Sequence, residues 1–268
     1  MTLETSRIPS RPLKLALVQM QVGDEEKSVR LERAERLLGE AAGADLVILP
    51  ELWNVGYSAF DRYAEDAEPI DGATVRLLRA KAAELKALVM MGSFLEKSAE
   101  GLHNTSVLID ERGEIAAAYR KIHLFGYKSQ ERSLLVPGKD VVTAAMTRGA
   151  FGLSTCFDLR FPELYRRLLD AGAEMFLVAS AWPLSRLEHW RVLTRARAIE
   201  NLCFLAAANC AGSNRGSRAG GHSVVLDPWG RVLAEAGEKE EVLRAEIDLG
   251  KVARTRAEFP AIASRVLK

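Results

Sequence analysis

Short, continuously apolar runs recur along this chain, and they restrict its fold more than any other feature. "DLVILP" (45–50), "MFLVAS" (175–180) and "CFLAAAN" (203–209) are apolar almost throughout. Strands of this kind belong to sheets covered by helices. Helix-like stretches separate them: 25–43, 72–87, 162–172 and 186–201, the first closing on Gly43. Further strands fall at 13–20, 88–96 and 242–249. Two segments read as hairpins, 104–121 around "DERGE" and 221–235 around "DPWG". Alternating helices and strands with interspersed hairpins predict an α/β fold with mixed rather than all-parallel sheets. No Pro/Gly/Ser linker, repeat or low-complexity tract divides the 268 residues. One domain over 13–268 is expected, preceded by a polar and flexible segment at 1–12.

Charge excludes several partner classes. Lys and Arg number 37 and Asp and Glu 36, with no charge block. Neither nucleic acid nor an anionic membrane surface is an expected partner. The apolar runs are far shorter than the roughly 20 residues of a spanning helix. "MTLETSRIPSRPLK" has no apolar signal core. A soluble, cytoplasmic protein is the expectation. The three cysteines, Cys156, Cys203 and Cys210, lack CxxC spacing, so each is core filler or a working thiol in a reducing compartment.

Three polar residues end apolar strands. Glu51 follows "ADLVILP", Lys121 follows "EIAAAYR" and Cys156 follows "FGLST". In α/β folds, side chains converge at the carboxyl ends of strands. The three suit acyl transfer. The thiol attacks, the carboxylate moves its proton to a leaving amine, and the ammonium stabilises thiolate and oxyanion. The Phe157 N–H is a second oxyanion donor if a helix begins there. This chemistry needs no metal or cofactor.

"ILPELW..GY" (48–57), "YRKIHLF" (119–125) and "CFDLRFPELYR" (156–166) resemble the signature segments of the nitrilase superfamily, the carbon–nitrogen hydrolases. The resemblance continues through "HW..L.RARAIEN" (189–201) and "GHSVVLDPWGRVLAE" (221–235), nearly the whole chain. It implies a four-layer α-β-β-α sandwich with two mixed sheets. It also implies a Glu51–Lys121–Cys156 triad, with Glu131 as a second glutamate orienting lysine and substrate. Subunits of the family pair across helical faces, here those after Cys156 and around Trp190, so a homodimer or higher oligomer is expected. "PELWNVGY" and "SAWPLSRLEHW" resemble the bacterial omega-amidase-like group, which cleaves the terminal amide of 2-oxo dicarboxylic acid monoamides. The chain also lacks the C-terminal extension typical of true nitrilases. An amidohydrolase forming a Cys156 thioester is expected. N-carbamoyl compounds, deaminated-glutathione-type amides, aliphatic amides and nitriles are the alternative substrates, and a scaffold or sensor is the non-enzymatic one.

A carboxylated substrate needs another cation. Arg160, four residues after Cys156, can supply a bidentate fork, with Tyr57 and Trp182 as walls. Duller accounts compete. Arg160 could belong to an ion-pair cluster with Asp158 and Glu163, and Glu131 could pair with Arg132 or Lys128. Tyr57 and Trp182 could be packing. His123, two residues beyond Lys121, offers a rival base for Cys156. Cys203, Cys210, His189 and His222 read as structural.

Overall fold

The computed structural model describes residues 12–267. The flexible segment expected at 1–12 thus lies outside the described residues, Pro12 excepted. The chain opens with β1 (Leu13–Gln19), α1 (Lys27–Glu40), β2 (Leu46–Ile48), α2 (Tyr63–Asp66) and α3 (Ala73–Leu85). A long hairpin follows, β3 (Leu88–Ser98) with β4 (Gly101–Ile109), and then β5 (Ile115–Arg120) and α4 (Glu131–Leu134). Next come β6 (Thr143–Met146), β7 (Gly149–Thr155), α5 (Pro162–Asp170), β8 (Met175–Ser180), α6 (Leu187–Asn201) and β9 (Phe204–Asn209). The rest is β10 (Ser213–Asn214), β11 (Ser217–Arg218), β12 (Val224–Leu226), β13 (Val232–Glu235), β14 (Glu241–Ile247) and α7 (Gly250–Glu258).

Two six-stranded sheets form, in the orders β14-β1-β2-β3-β4-β5 and β13-β12-β9-β8-β7-β6. In each, three parallel strands, β1-β2-β3 and β9-β8-β7, are flanked by antiparallel ones. The expected mixed sheets are present.

Burial explains why the strands read as unbroken apolar runs. Leu13, Leu15, Leu17, Leu46 and Ile48 face the second sheet and share a core with Phe151, Leu153 and Leu177. Their neighbours Ala16, Val18 and Val47 face the other way, against Leu37, Leu38, Leu78 and Ala82 of α1 and α3. On the far side, Leu164 and Leu168 of α5 and Trp190 and Ala198 of α6 cover the second sheet. The result is the α-β-β-α sandwich. Each large side chain so buried stabilises the fold by about 1.5–3 kcal/mol.

Helix ends shifted by a few residues from expectation, as fraying ends do. The larger difference is the β3–β4 hairpin. It turns near Gly101, whose φ of +131° suits glycine, so the strand read as starting at 104 begins three residues earlier. Strand β6 and helix α7 were not anticipated. The α7 stretch "GKVARTRAE" buries only Val252 and Thr255, too few apolar positions to give a periodic signal.

Candidate active site

The strands β1, β2, β3 and β5 run the same way, and so do β7, β8 and β9. Their carboxyl ends meet where the sheets face: the Glu51 N–H donates to Ser180 O at 3.3 Å. Glu51 follows β2, Lys121 follows β5 and Cys156 follows β7. All three are buried, with Cys156 9% exposed at the floor of a cleft of about 470 Å³.

The local chain at Cys156 is held from below. A 3₁₀ turn, Cys156–Arg160, begins at the thiol and is capped reciprocally by Thr155 and Asp158. Cys156 sits at φ +46°, a left-handed conformation unusual for a non-glycine residue. Such strain persists only where the surroundings enforce it. Asp158 does so here: its carboxylate accepts from Thr155 N–H at 2.9 Å, Tyr119 O–H at 2.7 Å and His123 N–H at 3.1 Å.

Lys121 lies between two carboxylates. Its Nζ donates to Glu51 Oε1 at 2.8 Å and to Glu131 Oε1 and Oε2 at 2.8 and 3.0 Å. Glu51 Oε2 accepts from the Ala181 N–H at 2.9 Å. Glu131 Oε2 accepts from Phe125 N–H at 2.8 Å and Tyr57 O–H at 3.2 Å. Glu131 therefore pairs with Lys121 rather than with Arg132 or Lys128. Asn104, on β4, was missed in the sequence. Its Nδ2 bridges Glu51 Oε1 at 2.9 Å and Glu131 Oε1 at 3.1 Å, and its carbonyl accepts the Lys121 N–H. Little in the sequence marks it, because Asn104 lies in the polar run "HNTS" of β4, where nothing sets it apart from its neighbours.

The electrostatics follow from this burial. Burial works against the Lys121 charge, but Glu131 and Glu51 outweigh it and hold the ammonium pKa well above its ordinary value. Burial pushes the Glu51 carboxyl up, and Glu131 adds to this against the pull of Lys121. Burial also pushes the Cys156 thiol well up, Glu51 adding and Lys121 opposing. The resting site thus pairs a neutral thiol with a carboxylate made more basic than usual, beside a fixed cation.

The remaining expected residues separate into groups. Tyr57, Phe157, Arg160 and Trp182 all line the cleft with Cys156. Arg160 makes no ion pair with Asp158 or Glu163; its guanidinium lies 4.9 Å from the Trp182 ring and 3.0 Å from His189 Nδ1. His123 does not approach Cys156. Its Nδ1 is 2.7 Å from Asp158 Oδ1 and its ring stacks on Phe161 at 3.7 Å, which makes it a brace of the turn. His222 binds Glu235. Cys203 and Cys210 flank β9, both buried, with the Cys203 thiol pushed up to about 12 by burial. Cys210 is two strands from Cys156. At about 4.8 Å per strand that separation exceeds the roughly 7 Å a disulfide tolerates.

The family model described as Carbon-nitrogen hydrolase matches residues 14–257. A protein named 2-oxoglutaramate amidase from Paenarthrobacter nicotinovorans is 38% identical over 96% of this chain and 91% of its own length. One of the same name from Bacillus subtilis is 37% identical over 92% of this chain and 95% of its own. The crystal structure of Saccharomyces cerevisiae Nit3, described as a member of branch 10 of the nitrilase superfamily, superposes with a TM-score of 0.87. It is 33% identical and covers 98% of this chain and 99% of that one. Fold, signature segments and near full-length matches agree: the chain belongs to the carbon-nitrogen hydrolase family.

Proposed function

We propose that this enzyme hydrolyses the terminal amide of a small carboxylated amide, such as a 2-oxo acid omega-amide, through a thioester on Cys156. The observation that carries the reading is Cys156 at the floor of a cleft, backed by the Glu51–Lys121–Glu131 cluster. The cleft's lining holds Lys128, Arg160, Arg186 and Arg215 and no carboxylate. Glu51 takes the thiol proton as Sγ attacks the amide carbon. Lys121 Nζ and the Phe157 N–H, in the first turn after Cys156, stabilise the oxyanion. Glu51 returns the proton to departing ammonia, then activates the water that cleaves the thioester. Amide and water become carboxylic acid and ammonia, with the thiol restored. Glu131 and Asn104 hold Lys121 and Glu51 in register. Arg160, on its Trp182 platform, reads the carboxylate, and Tyr57 and Trp182 wall the acyl chain.

Ammonia release from 2-oxoglutaramate, butyramide, an N-carbamoyl amino acid and a nitrile tests the substrate class. The carboxylated amide should give the highest kcat/KM; preference for a carbamoyl compound or nitrile would discard the omega-amide assignment. In the same assay the acid limb of kcat/KM should lie above about 4.3, the ordinary glutamate value, because Glu51 must be ionised to act and its carboxyl is raised. A limb at or below that value removes Glu51 as the base.

We read residues 13–268 as one domain that works as a homodimer. Val192 and Ile199 on the outer face of α6 are 62% and 48% exposed, a surface suited to a second copy. A solution mass of one chain would refute this. Among the described residues no helix is long and apolar enough to cross a membrane, and all three cysteines are free. Both fit work in the reducing cytoplasm.

A further inference from the structure

Arg186 was not singled out by the sequence. It ends the 3₁₀ turn Leu184–Arg186 that leads into α6, and it lines the same cleft as Cys156. Its backbone is fixed, since its carbonyl accepts the Trp182 Nε1–H at 2.8 Å. Its guanidinium lies 5.3 Å from the Phe125 ring and 5.8 Å from the Tyr127 ring. Trp182 therefore links two cations: Arg160 lies over its ring, and Arg186 is anchored by its indole N–H. Both guanidiniums line the one cleft, on either side of Trp182, and the charge of Arg186 adds to burial in lowering the Arg160 pKa; no carboxylate pairs with either among the described residues. Arg215, by contrast, is paired with Asp61 at 2.8 Å.

Two like charges held together without a counter-charge are unfavourable. Aromatic faces offset part of that cost. An anion bound between them removes the rest, and two forks on rigid supports suit a planar carboxylate. We propose that Arg186 completes a two-guanidinium clamp with Arg160 for the distal carboxylate of the substrate, and so shares with Arg160 the selection of acid amides over neutral ones. This deepens the amidase reading and rests on it for the other end of the substrate.

The test compares succinamate with butyramide, which differ by a carboxylate in place of a methyl group. Arg186→Gln should raise KM for succinamate about 10- to 100-fold, the size of one charge-assisted contact, with kcat within about threefold. Butyramide kinetics should stay within about twofold, and Arg186→Lys should recover part of the loss. Equal KM increases for both amides, or no change for either, overturn the clamp while the amidase stands. Glutarate binding to Cys156→Ala, measured by calorimetry, separates the two ideas. Weaker glutarate binding when Arg186→Gln is added supports the clamp even if no amide is turned over, a result that would sink the amidase reading alone. Unchanged glutarate binding overturns the clamp.

Discussion

Cys156→Ala should abolish ammonia release, lowering kcat by at least about a thousandfold while leaving the protein folded. The loss is chemical. Without Sγ no thioester forms, and Glu51 and Lys121 retain only a positioned water and an oxyanion site. The fold should tolerate the change, because one sulfur is removed from a position open to the cleft. The turn geometry is set elsewhere, by Asp158 accepting from Thr155, Tyr119 and His123. A Tm within a few degrees of wild type is expected. Mass spectrometry of quenched wild-type reactions should find the acyl adduct on Cys156. Alkylation by iodoacetamide should also favour Cys156 over Cys203 and Cys210, since of the three only Cys156 opens to the cleft, where Glu51 can take its proton. Cys210→Ala should keep turnover. Retention of more than a few per cent of activity by Cys156→Ala would sink the mechanism.

How much of this site was legible in the sequence depends on what each residue's position depends on. Glu51, Lys121 and Cys156 each terminate a strand, and strands are visible as apolar runs, so their convergence follows from topology. Asn104 is invisible by that logic. It lies inside β4, and its value comes from the pairing of β4 with β5, which sets it beside Lys121. Glu131 was reachable only through the family resemblance, which also named Lys121 as its partner; on the residues alone Arg132 and Lys128 competed for it. Arg186 was missed for a different reason. It lies in a surface-like "PLSRLEHW" stretch, and only the fold brings it against Phe125 and Tyr127 from a segment some 60 residues away. The same distinction applies to the fold. Strands buried on both faces announced themselves, whereas β6 and α7, packed on one side, did not.

Lys121→Met should cost both turnover and stability, and the two losses should be separable. Lys121 is the only cation bonded to Glu51 and Glu131 among the described residues, and all three side chains are excluded from solvent. Removing one partner of a buried ionic set costs about 3–5 kcal/mol, because the charges left behind are uncompensated. At about 2–4 °C per kcal/mol, Tm should fall by roughly 10 °C near neutral pH. The two carboxylates then keep only neutral donors, Asn104 Nδ2, the Ala181 and Phe125 N–H groups and the Tyr57 O–H, so the Glu51 carboxyl rises further above its unfolded value. A raised carboxyl destabilises the native state as pH climbs from the unfolded pKa toward the folded one. The variant should therefore regain stability as pH is lowered toward about 5. In Lys121→Met/Glu131→Gln one of the two charges is gone, while the carboxamide oxygen introduced in place of Glu131 can still accept from Phe125 N–H and Tyr57 O–H. At least half of the lost Tm should return. Turnover should not, because a methionine supplies no cation to the oxyanion, and kcat should stay at least about a hundredfold below wild type in both variants. Thermal melts across pH alongside ammonia assays decide the matter. An unchanged Tm in Lys121→Met would refute the ionic account of the cluster. A double variant that recovers turnover with its Tm would reduce Lys121 to a structural counter-ion.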